Sequence, residues 1–199
     1  QVTTGSGGTW SITYPAGTFA AGEYDRTITA TTTDIAGNST TTTHAIRIDT
    51  TTSVSFSTDL LTADNVINNA EAGQGVYLTG TTTADAASVM VSWNGFTLPA
   101  SVLNGQWDVR FPSSTITNTS GTSVATVVTT DLAGNTSSAT RSITVDRGTY
   151  ANFNSGLLGG DSVVSGAEAN AGVVLSGNAE AGSQVTIEFQ GLTRVVTAT

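Results

Sequence analysis

Two stretches of this chain read almost alike: TTDIAGNSTT at residues 32–41 and TTDLAGNTSS at residues 129–138. In each, a Thr-rich run meets Asp, a branched apolar residue, Ala, Gly and Asn before the Thr/Ser run resumes. Asp and Asn close turns through their own side chains, and Gly takes positive φ at no steric cost. The element is therefore a tight loop between two strands. Its two copies lie 97 residues apart, Asp34 against Asp131, which makes it the landmark of an internal repeat.

Working outward, the same offset relates Trp10 to Trp107, Pro15 to Pro112, Ile46 to Ile143 and Asp49 to Asp146. It continues through Asp64 and Asp161, Glu71 and Glu168, and Gly80 and Gly177. Beyond that glycine the offset falls to 96, where VSWNG (91–95) meets IEFQG (187–191). A repeat begins naturally after the last strand of its predecessor, at Asp49. On that phase residues 49–145 form one whole repeat. Residues 1–48 are the second half of the repeat before it, and residues 146–199 the first half of the repeat after it. The chain starts at Gln1 rather than Met, so it reads as a fragment or a processed product, a window onto a longer protein.

Composition agrees with strands. Hydrophobic residues make up 38% of 199, charged residues only 11%, and Thr, Ser and Gly abound. That mixture of β-branched residues and turn formers is all-β. Seven strands are predicted within the whole repeat: A at 53–57, B at 75–81, C at 88–93, D at 96–102, E at 107–111, F at 122–130 and G at 138–145. Asn94-Gly95, Asn104-Gly105 and the loop from Asp131 to Asn135 turn the chain between them. Alternation puts Val54, Phe56, Val76, Leu78, Val89, Val91, Trp107, Val109, Val127, Ile143 and Val145 in the core. A repeat of this length is the size of an immunoglobulin-like sandwich. The fold class is thus all-β, in tandem immunoglobulin-like antiparallel β-sandwiches.

Strand direction places the loops. If A runs down, B runs up and G runs down again. Asp49, the B–C loop with Asp85 and the F–G loop with Asp131 then share the leading end. The long A–B loop LTADNVINNAEAG (61–73), with Asp64 and Glu71, and Asp146 lie at the trailing end. A strand of eight residues spans roughly 25 Å. Asp131 and Asp146 therefore cannot share one ion, whereas Asp131 and Asp49 can.

Charge and motifs narrow the function. The net charge is −9, all six basic residues are Arg and Lys is absent. No basic patch with aromatics is available for nucleic acid. No apolar run approaches the length of a membrane span, and the absence of Cys removes disulfides and thiol chemistry. The single histidine, His44, faces Arg141 across the repeat offset, which suits a surface position better than a catalytic one. No nucleophile elbow, phosphate loop or EF-hand loop is present, and the chain is not read as an enzyme. GGDSVVSG (159–166) is read as a loop. Asp131 has two compatible readings: it caps its own turn, or it faces the domain junction as a ligand.

The blocks DNVINNAEAG, TGTTTADAASV, NGQWDVRFP and TTDLAGNTSSATRSITVD, at one spacing, resemble the tandem bacterial Ig-like repeats of giant secreted surface adhesins, the biofilm-associated and type I-secreted RTX adhesins among them. The resemblance implies an extracellular spacer on a bacterial cell surface, stiffened by Ca²⁺ at its junctions. It carries a calcium-ligand role to Asp49, Asp131 and Asp146, and extends it to Asp85, Asp64 and Glu71. The partners it implies are adjacent repeats, of the same protein or of neighbouring copies, with any host or surface ligand bound elsewhere in the parent protein. The chain departs from the family at its linkers: DTTTS (49–53) and DRGTY (146–150) lack the usual proline, and Arg147 stands beside Asp146. Two further readings are open. The terminal halves of neighbouring chains complete one another in a filament, or the sandwich is a ligand-binding module.

Overall fold

A computed structural model of the chain describes residues 2–4, 8–154 and 161–199. Gly159 and Gly160, the start of the expected GGDSVVSG loop, lie outside the described residues. The chain divides into two compact units, Gln1–Val145 and Asp146–Thr199.

The first unit opens with β1 (Val2–Thr4) paired antiparallel to β2 (Trp10–Ile12). An 11-residue antiparallel ribbon follows, β3 (Glu23–Thr33) with β4 (Ser39–Asp49). Threonine hydroxyls ladder across its face, Thr31 to Thr41 at 3.0 Å and Thr33 to Ser39 at 2.8 Å. The TTDIAGNSTT loop is its turn.

Residues 54–145 build a sandwich of two sheets. Its elements are β5 (Val54–Phe56), β6 (Val66–Ile67), α1 (Asn69–Gln74), β7 (Val76–Thr82), β8 (Ala86–Trp93), β9 (Phe96–Pro99), β10 (Ser101–Leu103), β11 (Gln106–Phe111), β12 (Gly121–Asp131) and β13 (Thr136–Val145). One sheet has the order β10-β11-β7-β5, the other β6-β13-β12-β8-β9. All pairings are antiparallel except β6 with β13.

The apolar positions alternate along each strand as a half-buried strand requires. Along β7 and β11 every second residue is buried: Val76, Leu78 and Gly80, then Trp107, Val109 and Phe111. Every expected core residue is buried except Phe56, which is half-buried and packs on the core with its ring edge-on to Trp107, centroids 5.3 Å apart. A second edge-on pair, Trp93 with Phe111 at 5.4 Å, fills the opposite part of the core. Both indoles are satisfied, Trp93 donating to the Ser123 hydroxyl at 2.7 Å and Trp107 to the Ser55 carbonyl at 3.1 Å. Trp107 sits over Gly80, where an added Cβ would lie 1.9 Å from the Ser55 carbonyl oxygen and 2.6 Å from the indole.

The fold departs from the strand reading at two places. The single strand expected over 96–102 is two: β9 pairs with β8 in one sheet and β10 with β11 in the other. Pro99, lacking an N–H, ends β9 on the sheet edge, and the chain crosses between sheets there. The long loop before β7 also holds structure, since β6 joins the end of β13 and α1 follows. Asn68 caps α1 by accepting from the Ala70 and Glu71 N–H groups, while the Glu71 carboxylate accepts from the Asn68 N–H at 2.9 Å. This capping box is written in the Asn-x-x-Glu spacing.

The second unit contains β14 (Ala151–Phe153) paired to β15 (Gly177–Ala179), α2 (Gly166–Ala171) with a Ser165/Glu168 capping box, and β16 (Gln184–Phe189) paired to β17 (Leu192–Thr197).

Candidate functional site

The acidic residues converge where the β3–β4 ribbon meets the sandwich. Antiparallel register places Glu23, the first residue of β3, opposite Asp49, the last of β4. The ribbon is closed at this end by the Thr50 N–H donating to the Gly22 carbonyl at 3.1 Å and the Gly22 N–H donating to the Thr50 hydroxyl at 2.9 Å. Ile48 is buried beside it, which anchors the strand end.

The TTDLAGNTSS loop arrives from the sandwich. The Asp131 carboxylate accepts from the Asn135 backbone N–H and from its side-chain amide, both at 2.8 Å. The same amide donates to the Asp49 carboxylate at 3.2 Å and to the Asp49 carbonyl at 3.3 Å. The Leu132 N–H donates to the Asp85 carbonyl at 3.2 Å, drawing the loop before β8 into the same cluster. One carboxylate oxygen from each of Glu23, Asp49 and Asp85 lies within 4.8 Å of the others. Oxygens bound to one Ca²⁺ at 2.3–2.6 Å are at most about 5 Å apart, so these three fit a shared hard cation. Arg47 competes from the side: its guanidinium ion-pairs with Glu23 and reaches Asp25 at 3.3 Å.

The electrostatics separate the acids. Burial pushes the Asp49 carboxyl above its ordinary value, and the charges of Asp131 and Asp85 add to the effect, while the Thr51 N–H opposes it. Asp131 is only 2% exposed. Burial acts upward on it too, but the side chain and backbone of Asn135, with the Gly134 and Ala133 N–H groups, hold its carboxyl below the ordinary value. Asp131 is thus a settled carboxylate and Asp49 an uncomfortable one.

The other acids singled out from the sequence are placed elsewhere. The Asp64 carboxylate accepts from the Val66 N–H at 3.0 Å and the Thr62 hydroxyl at 3.1 Å, and these bonds lower its pKa. Glu71 is occupied by the α1 cap. Asp146 belongs to the second unit, where its carboxylate accepts from the Gly148 N–H at 3.4 Å. Asp34 repeats the Asp131 turn, with Asn38 donating twice at 2.8 Å, but it is exposed at the far end of the ribbon. Glu23 is the member that sequence reasoning missed. Its repeat counterpart is Ser120, so the offset gave no reason to mark it. Its position at the start of the strand that ends in Asp34 was the available signal.

Against known proteins, a family described as a bacterial Ig-like domain matches residues 1–50. A crystal structure of a bacterial immunoglobulin-like domain from the M. primoryensis ice-binding adhesin is 34% identical in sequence, covering 49% of this chain and 97% of that one, with a TM-score of 0.33. The chain belongs to the bacterial Ig-like domain family. Two longer relatives extend the match of this Ig-like chain. A structure from a 1.5-MDa bacterial ice-binding adhesin, studied for host cell surface retention, is 31% identical over 75% of this chain and 51% of that one, TM-score 0.48. A Ca²⁺-stabilized adhesin that helps an Antarctic bacterium reach out and bind ice is 30% identical over 87% of this chain and 45% of that one, TM-score 0.38. The Ig-like chain spans about half the length of these two adhesin structures. The family assignment rests on the sequence identity, to which the low TM-scores add nothing. No curated protein matches the chain. Among the described residues no helix is long and apolar enough to cross a membrane.

Proposed function

We propose that the chain is a spacer segment of a bacterial cell-surface adhesin, with repeat boundaries at 1–48, 49–145 and 146–199. A Ca²⁺ ion at the first junction stiffens it. The observation that carries this reading is the convergence of Glu23, Asp49 and Asp85 oxygens within 4.8 Å across that junction. Three carboxylates this close repel one another, and the raised pKa of Asp49 reports that cost. A divalent cation bound among them removes it and ties the ribbon to the sandwich, which restricts bending. Asp131 serves from behind by orienting Asn135 toward Asp49. Asp64 and Glu71 are assigned to their turn and cap. The Ca²⁺-stabilized adhesin among the relatives supports the choice of ion. Neighbouring repeats are the direct partners, and any surface or host ligand binds elsewhere in the parent protein.

One repeat along the sequence, the positions of Glu23, Asp49 and Asp85 hold Ser120, Asp146 and Gly182. Only one carboxylate survives, so the reading gives one ion per chain. Calorimetric titration of the metal-free chain with Ca²⁺, paired with thermal melting, tests it. One equivalent bound and a raised melting temperature are expected. A ligand at a hundredfold its Kd stabilises by about 2.7 kcal/mol. An unchanged melt at saturating Ca²⁺, or equal binding by Asp85→Ala, sinks the calcium reading.

A further inference from the structure

Outside the sandwich, the described strands form four two-stranded sheets: β1–β2, β3–β4, β14–β15 and β16–β17. Each is half of a sheet already seen. By the repeat offset, β1–β2 corresponds to β10–β11 and β14–β15 to β7–β5, the two halves of the first sheet. Likewise β3–β4 corresponds to β12–β13 and β16–β17 to β8–β9, the two halves of the second. The registers agree pair by pair. Ile28 faces His44 as Ala125 faces Arg141, Phe153 faces Gly177 as Phe56 faces Gly80, and Phe189 faces Leu192 as Trp93 faces Phe96.

What each half lacks is therefore defined. In the sandwich β11 pairs with β7 and β12 with β8. The counterparts of those joins are β2 with β15 and β3 with β16, and among the described strands neither pair is made. The side chains tell the same story. Trp107 is 2% exposed and its counterpart Trp10 is 61% exposed; Trp93 is 1% exposed and its counterpart Phe189 is 63% exposed. Gly177 repeats the Cβ-free position on which Trp107 rests at Gly80. Open strand edges and bare aromatics of this kind favour pairing with another chain.

We propose that a second copy of this chain supplies the missing half. Residues 1–48 of one copy pair with residues 146–199 of the next, β2 beside β15 and β3 beside β16, and close a sandwich between copies. The middle sandwich sets the register: Ala30 opposite Ile187 and Thr32 opposite Val185, as Val127 stands opposite Val91 and Thr129 opposite Val89. The contact is head-to-tail, so it propagates into an open fibre or closes into a ring. It needs no cation and stands apart from the junction reading.

Two variants of the full chain test this by light scattering and sedimentation. Trp10→Asp with Ile28→Asp spoils the leading half, and Val185→Asp with Ile187→Asp spoils the trailing half. Both leave residues 54–145 intact, so the main melting transition reports that each variant is folded. The parent chain is expected to assemble with rising concentration, with its Trp emission shifting to shorter wavelength as Trp10 is covered. Each variant alone stays single, and an equimolar mixture of the two stops at a pair. A parent chain of single-copy mass at every soluble concentration overturns the proposal. So does assembly of either variant alone, or a mixture that fails to pair.

Discussion

Asn135 donates its side-chain amide to the Asp49 carboxylate at 3.2 Å, joining residues 86 positions apart. The same amide holds Asp131 at 2.8 Å, so one side chain closes its own turn and fastens the ribbon to the sandwich. The sister turn has only the local half of this arrangement, Asn38 to Asp34.

The sister turn supplies an internal control. Asn135→Ala should lower the melting temperature of the chain and loosen the ribbon, measurable as faster amide exchange in β4 near Asp49. Asn38→Ala should leave both unchanged, because its bonds are exposed and tie nothing else. Equal effects of the two substitutions would show that the turn alone matters.

Gly80→Ala should be among the most damaging single changes available. Its Cβ meets a backbone oxygen that cannot yield and a fully packed indole. The expected cost is about 4 kcal/mol or more, comparable with Trp107→Ala at about 3–5 kcal/mol. Because both act on one contact, the double variant should cost less than the two together. Denaturant melts of the three variants measure this, and additive costs would contradict the shared contact.

Capping and cation roles are separable by their response to calcium. Asn68→Ala should cost about 1 kcal/mol by removing the α1 cap, and Glu71→Ala should act in the same direction. Neither should alter the calcium-induced shift in melting. Glu23→Gln and Asp85→Ala should reduce that shift while costing little in metal-free protein. Loss of the calcium shift in Glu71→Ala would return Glu71 to the ion.

The pH dependence has two opposed signs. Asp64 and Asp131 have lowered folded pKa values, so their stabilisation is complete above the ordinary carboxylate value and is lost as pH falls through the folded ones. Asp49 has a raised folded pKa, so its cost is absent below the ordinary value and complete above the folded one. With chelator, the melting temperature should fall as the pH is taken below about 4. Asp64→Asn with Asp131→Asn should flatten that fall. At neutral pH Asp49→Asn should raise the metal-free melting temperature and abolish the gain from calcium. A drop in the metal-free melt would mean that Asp49 is not strained.

Much of the architecture was legible in sequence because it is periodic. Alternation along β7, β11 and β12 marks the core, and the Asn-Gly turns stand where Asn94 and Gly95, then Asn104 and Gly105, all take positive φ. Repetition identified the Asp131 turn, and strand direction brought Asp49, Asp85 and Asp131 to one end. The break at Pro99 was readable as a flaw in a strand, but a change of sheet depends on which partner each side finds.

By itself, then, the sequence determined the repeat, the turn and the buried face, because these follow from spacing and local backbone preference. Tertiary structure alone decided which carboxylates meet. Glu23 joins Asp49 through β-ladder register, and Asp85 joins them through a loop packed against Asp131. Glu71, equally acidic, is spent on a helix cap. Charge is a property of a residue, whereas the repulsion that invites a cation is a property of the distances between residues.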